Sequence, residues 1–164
     1  MPDNRIVINT GPLLALVAGC GDLEILDKLY HEIIVPFEVC KEIMAGDESR
    51  FAIPEFKAAT WLNKLTKSTK IPPILKNALD SGEASVIQTA TEYNINLVCI
   101  DEAMGRRVAR LSNLKVTGSV GILIRAKREG WLPSVKAAIK RMVENGVWLN
   151  PEIIQIALRE SGEL

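Results

Sequence analysis

Apolar residues along the chain fall into two kinds of run. Short ones, Arg5-Ile6-Val7-Ile8, Ile33-Ile34-Val35, Leu97-Val98-Cys99-Ile100 and Lys115-Val116-Thr117, are bounded by polar or turn residues and predict buried strands. Longer amphipathic stretches predict helices between them. The first begins at Leu13, after Gly11-Pro12 breaks the leading strand, and ends near Gly19. Asp22 is the expected N-cap of a second helix, DLEILDKLY, and Pro36 opens a third, FEVCKEIMAG, stopped by Gly46 and followed by a polar loop over Asp47–Ser49. A short helix over Glu55–Ala59 and a strand near Trp61–Leu65 follow, and then a helix from Pro72-Pro73 to Leu79. Asp80 and Glu83 have capping-box spacing and start a helix through Tyr93. A basic helix over 103–112, a helix from Gly118-Ser119 to Lys127, and two amphipathic helices at about 133–145 and 151–160 complete the chain. Strands alternating with helices predict an α/β fold with a parallel sheet of about five strands, covered on both faces.

A chain of 164 residues favours a single domain, here a core over about 5–132 and C-terminal helices over about 133–161. Formal charge is zero, but unevenly spread. The first hundred residues carry 13 acidic and 9 basic residues, whereas 101–145 carry 10 basic and 4 acidic. An acidic cluster beside a basic segment could hold a cation and a polyanion together; solvated helix faces would give the same tally. Cys20, Cys40 and Cys99 form no CxxC pair and read as free thiols of a cytoplasmic protein. No signal peptide is visible, and the longest nearly apolar run, 11–21, is shorter than the about 20 residues a bilayer requires, so no membrane role is expected.

Ligands of open α/β sheets bind beyond the carboxyl ends of strands. Asn9 and Thr10 follow the first strand there, and Asp101 follows the strand ending at Ile100. Glu42 lies at the flank of its helix's apolar face, taken as Phe37, Cys40, Ile43 and Met44, and Glu83 lies in a first helical turn. Three carboxylates from separate segments, with the Asn9 amide, could form an oxygen cage for Mg²⁺ or Mn²⁺. Each also has a plainer reading: Glu83, Asp101 and Ser119 as helix-capping residues, Glu42 as a solvated helical acid, Asn9 as a strand-end residue bonding local backbone. The single histidine, His31, argues against Ser-His-Asp chemistry and His-rich zinc ligation. Trp61, Trp131 and Trp148 are far apart and read as core or interface residues.

The stretches INTGPLLAL, HEIIVPFEVCKEI, LDSGEASVIQTA, LVCIDEAMGRRVA and KVTGSVGILIRAKREGWL, in this order and spacing, resemble the PIN-domain nucleases. The likeness is nearest to prokaryotic members grouped with VapC-like toxins or left uncharacterised. It implies a three-layer α/β fold, metal-dependent cleavage of RNA, a small antitoxin partner and a homodimer. It carries the family's acids onto Asn9, Glu42, Glu83 and Asp101, as catalytic and metal-binding positions, and its supporting polar residues onto Thr10 and Ser119. The departure is Asn9, where the family motif begins with Asp. An amide offers a carbonyl oxygen but no charge. At an effective dielectric of 20, a unit charge 4 Å from a divalent ion is worth about 8 kcal/mol before desolvation, so several kcal/mol of gross attraction are missing. Water would attack a backbone phosphorus in line with cation assistance, a carboxylate would take its proton, and Arg106, Arg107 and Arg110 would hold flanking phosphates. Two other classes compete. One is a PIN scaffold that binds RNA or protein without cutting. The other is phosphotransfer, for which a DxDxT phosphatase would need acids where Asn9 and Gly11 stand, and a receiver would use an acid such as Asp101.

Overall fold

A computed structural model describes residues 4–45 and 52–164. Fifteen elements run in the order β1 (Arg5–Ile8), α1 (Thr10–Cys20), α2 (Glu24–Leu29), β2 (Glu32–Val35), α3 (Phe37–Ala45), α4 (Ile53–Ala58), β3 (Asn63–Lys64) and α5 (Pro73–Ala78) among the described residues. They continue with α6 (Ser81–Glu92), β4 (Leu97–Cys99), α7 (Ala103–Leu111), β5 (Lys115–Thr117), α8 (Ser119–Arg128), α9 (Val135–Glu144) and α10 (Pro151–Glu160). The expected helix stop at Gly46 and the loop at 47–49 lie outside the described residues.

All strand pairs are parallel and the sheet order is β3-β2-β1-β4-β5. Successive strand residues point to opposite faces. Ile6, Val7 and Ile8 are all fully buried, as are Ile34 and Val35, so helices must cover both faces of the sheet. From β1 the chain moves outward through β2 to β3, then returns to the other side of β1 for β4 and β5. The connections leaving β1 and β4 therefore diverge, and a crevice opens at the carboxyl ends of these two strands. The Asn9 N–H donates to the Cys99 carbonyl at 3.0 Å, holding the two strand ends together.

The leading strand ends at Ile8, ahead of Gly11-Pro12, and the helix starts earlier than the Leu13 expected. Helix α1 begins at Thr10 and carries Gly11 and Pro12 in its first turn. The N–H groups there have no partner within the helix, so a proline removes no helical hydrogen bond. Asp22 caps α2 from one place earlier than expected, accepting from Glu24 N at 3.0 Å, while Leu23 holds the N-cap position. Helix α9 covers the core with Val135, Ala138, Ile139 and Met142, and Arg141 Nε donates to the Gly19 carbonyl of α1 at 2.7 Å. No helix among the described residues is long and apolar enough to cross a membrane.

Candidate active site

The mouth of the crevice is built from one residue after β1, one after β4, and side chains of α1, α3, α6 and α8. Asn9 follows Ile8 at the N-cap position of α1, with extended backbone and no side-chain capping bond. The amide is 7% exposed, and its Oδ1 is buried without a hydrogen-bond partner. Thr10, the next residue, donates its Oγ1 proton to Glu42 Oε2 at 3.0 Å. Glu42 comes from α3, whose core face is narrower than expected: Val39 and Ile43 are buried, whereas Met44 is exposed. Glu42 sits on the exposed side and is brought to the mouth by Thr10 rather than by burial.

Helix α6 contributes the deepest acid. Asp80 caps it by accepting from Glu83 N at 2.8 Å, the local bond expected from the sequence. The Glu83 side chain is only 7% exposed, and its Oε2 is buried with no partner. Burial pushes the Glu83 carboxyl up to about 7, and the nearby charges of Asp80 and Glu102 add to the rise. A capping role thus accounts for its backbone but leaves its carboxylate uncompensated.

Asp101 is exposed two residues beyond β4. It does not cap α7, the helix it precedes; Glu102 occupies that N-cap position without a side-chain bond. Instead Asp101 Oδ1 accepts the Ser119 N–H at 2.8 Å, at the start of α8. Ser119 is the first residue of α8, not its N-cap, and its Oγ is buried without a partner.

Glycines provide the space for these oxygens, a feature not anticipated from the sequence. A Cβ on Gly82 would lie 3.0 Å from Glu42 Oε2, 3.2 Å from Asn9 Oδ1 and 3.5 Å from Asp80 Oδ1. One on Gly105 would lie 2.7 Å from Glu83 Oε2, and one on Gly118 would lie 2.6 Å from Asp101 Oδ1 and 2.9 Å from Arg106 Nη1. Gly105 lies within α7, where glycine costs about 1 kcal/mol relative to alanine, and that local penalty is the available signal. Asp80, read only as a cap, is the other residue that belongs at the mouth.

The acids stand apart. Among the described residues, no three His, Cys, Asp or Glu side chains form a group that could hold a metal ion. Glu42 and Asp80 lie beside Gly82 with the Asn9 amide, Glu83 points to Gly105, and Asp101 to Gly118. The arginines divide as well. Arg106 Nη1 donates to the Ile100 carbonyl at 2.9 Å, and Arg106 and Arg110 line a groove that Asp101 also lines. Arg107 is exposed and does not line that groove. All three cysteines are free; Cys99 is buried, and burial pushes its thiol up.

The family described as DUF3368: PIN domain matches residues 5–163. The chain belongs to this PIN-domain family. No curated protein and no solved structure matches it. PIN domains have nuclease-type function and generally use divalent metal ions, and the all-parallel five-stranded sheet is consistent with that fold. The donors at the mouth suit such an ion in kind. They are oxygens throughout, and Asn9 Oδ1 and Glu83 Oε2 have no other partner.

Proposed function

We propose that this PIN domain is a metal-dependent endoribonuclease of the toxin–antitoxin type, weakened by Asn9. The observation that carries the reading is the pair of buried, unpartnered oxygens, Asn9 Oδ1 and Glu83 Oε2, beside the carboxyl ends of β1 and β4. Asn9, Glu42, Glu83 and Asp101 stand apart and would have to draw together to hold Mg²⁺ or Mn²⁺; Thr10 bonds Glu42 and the Ser119 N–H bonds Asp101. When bound, the ion supplies charge neutralisation at a phosphodiester and acidifies water. A carboxylate at the mouth that does not bind the ion would take the proton from an attacking water. Arg106 and Arg110 would hold phosphates beside the one that reacts. The toxin role, with a small antitoxin over the mouth and a homodimeric assembly, rests on the resemblance to VapC-like proteins.

The test is cleavage of a labelled single-stranded RNA with Mn²⁺, with EDTA, and by Asp101→Ala. Cleavage that needs Mn²⁺ and Asp101 supports the reading; cleavage that survives EDTA or the mutation contradicts it.

The separation of the acids, together with an amide at position 9, favours a second reading, a PIN scaffold that binds RNA or protein without cutting. Asn9→Asp separates the two. A gain of Mn²⁺-dependent cleavage marks a weakened nuclease, and continued inactivity with metal bound marks a binding module.

A further inference from the structure

Trp148, read from the sequence as a core or interface residue, is not in the core: it is 78% exposed, the most exposed tryptophan of the chain. It lies in the link between α9 and α10, and its outward position is fixed from both sides. Val147 and Leu149 pack half-buried against the core. Val147 N donates to the Met142 carbonyl at 2.9 Å, and Asn150 caps α10 by accepting from Glu152 N at 2.9 Å. The backbone is thus fixed on either side of Trp148, and the indole lines a groove of about 810 Å³. Asp101 and Ser119 line the same groove, and so do Arg106 and Arg110. These two arginines are one helical turn apart on one face of α7, about 6 Å along its axis.

An exposed aromatic face, two cations in file and a carboxylate at the mouth make a composite surface. Cations along a backbone, with an aromatic ring for a base, are how single-stranded nucleic acid is held without sequence readout. Bases within a duplex are already stacked and paired, so their faces are not available to a side chain. A protein partner would be met by a patch whose centre is depleted of charge, which this groove is not. We propose that Trp148 is a stacking platform for one unpaired base of a single-stranded RNA whose backbone passes Arg110 and Arg106 toward Asp101. This rests on the ribonuclease reading and adds a residue that would hold the strand, on the α10 side of the cut.

The experiment is fluorescence anisotropy in EDTA, so that binding is read without cleavage. The probes are a labelled single-stranded RNA 12-mer of mixed sequence and a blunt duplex of the same sequence. Trp148→Ala should weaken single-strand binding roughly tenfold, the ordinary worth of one stacked base, and leave duplex binding unchanged. Trp148→Phe should retain most of the affinity. Single-strand binding by Trp148→Ala equal to wild type overturns the platform, and so does an equal loss on strand and duplex. Unchanged RNA affinity with an altered oligomeric state in sedimentation assigns Trp148 to a protein interface and overturns it too. A wild-type protein that binds neither RNA in EDTA also overturns the platform; the nuclease reading is decided separately, by cleavage in Mn²⁺.

Discussion

Asp101 caps a helix that begins eighteen residues after it: its Oδ1 accepts the Ser119 N–H at 2.8 Å, bridging the end of β4 to the start of α8. One carboxylate therefore has a structural bond and a candidate catalytic charge. The two separate by substitution. Asp101→Asn keeps an acceptor oxygen and should unfold within about 0.5 kcal/mol of wild type while losing cleavage. Asp101→Ala loses the cap as well, at about 1 kcal/mol. Urea unfolding and RNA cleavage measured on both variants check this.

Gly118 has ordinary extended backbone, so its side-chain hydrogen is required by space, not by conformation. An alanine methyl would stand 2.6 Å from Asp101 Oδ1. Gly118→Ala should displace that carboxylate, destabilise by about 1 kcal/mol through the lost bond to Ser119 N–H, and lower cleavage more than tenfold. Gly11→Ala, whose Cβ meets nothing within 4 Å, is the control and should not destabilise. Equal effects in the two variants, compared by thermal unfolding, would contradict the crowding.

Glu83 predicts a metal-linked stability. Its ionised carboxylate is uncompensated in the free protein, so a divalent ion that binds the folded chain raises stability by mass action. Once Mn²⁺ exceeds its dissociation constant a hundredfold, Tm should rise by about 5–10 °C for a chain of this size. Glu83→Gln should lose most of that rise. Differential scanning calorimetry at pH 8, with Mg²⁺ and Mn²⁺ in parallel, reads it directly.

Far from the mouth, Glu163 ties the C-terminus to the start of α9. Its Oε1 accepts from Ser134 Oγ at 2.6 Å, and its Oε2 accepts from Val135 N at 2.7 Å and pairs with Lys127 at 3.0 Å. What burial there is pushes this carboxyl up, but the hydrogen bonds outweigh it and hold it at about 2. The folded value lies below the ordinary 4.5, so the latch contributes fully above pH 4.5 and is lost as pH falls toward 2. Denaturant unfolding between pH 7 and 2.5 should show that decline in wild type and a flatter profile in Glu163→Gln.

Strands and their polar ends were legible because buried parallel strands read as short apolar runs whose ends punctuate the chain. Asn9 and Asp101 could be placed at the mouth for that reason alone, and Asp80 could be read as the cap of α6 from its spacing to Glu83. Contacts across the sequence were not legible. Nothing near Asp101 announces that it caps α8 rather than α7, because the partner lies in another element. Glu42 looked like the flank of an apolar face, and only the Thr10 hydroxyl explains its arrival. Gly82, Gly105 and Gly118 carry no pattern of their own, since what they supply is room for another element's oxygen. Trp148 reads from the sequence as a core or interface residue, and its exposure rules out only the core; the alternation of Val147 and Leu149 about it is too short to register as a period.

The most direct measurement is anomalous diffraction from crystals soaked in Mn²⁺. The account predicts a peak in contact with Asn9 Oδ1 and Glu83 Oε2, strengthened in Asn9→Asp. No peak at the mouth at saturating Mn²⁺, or peaks only at other surface carboxylates, would contradict it.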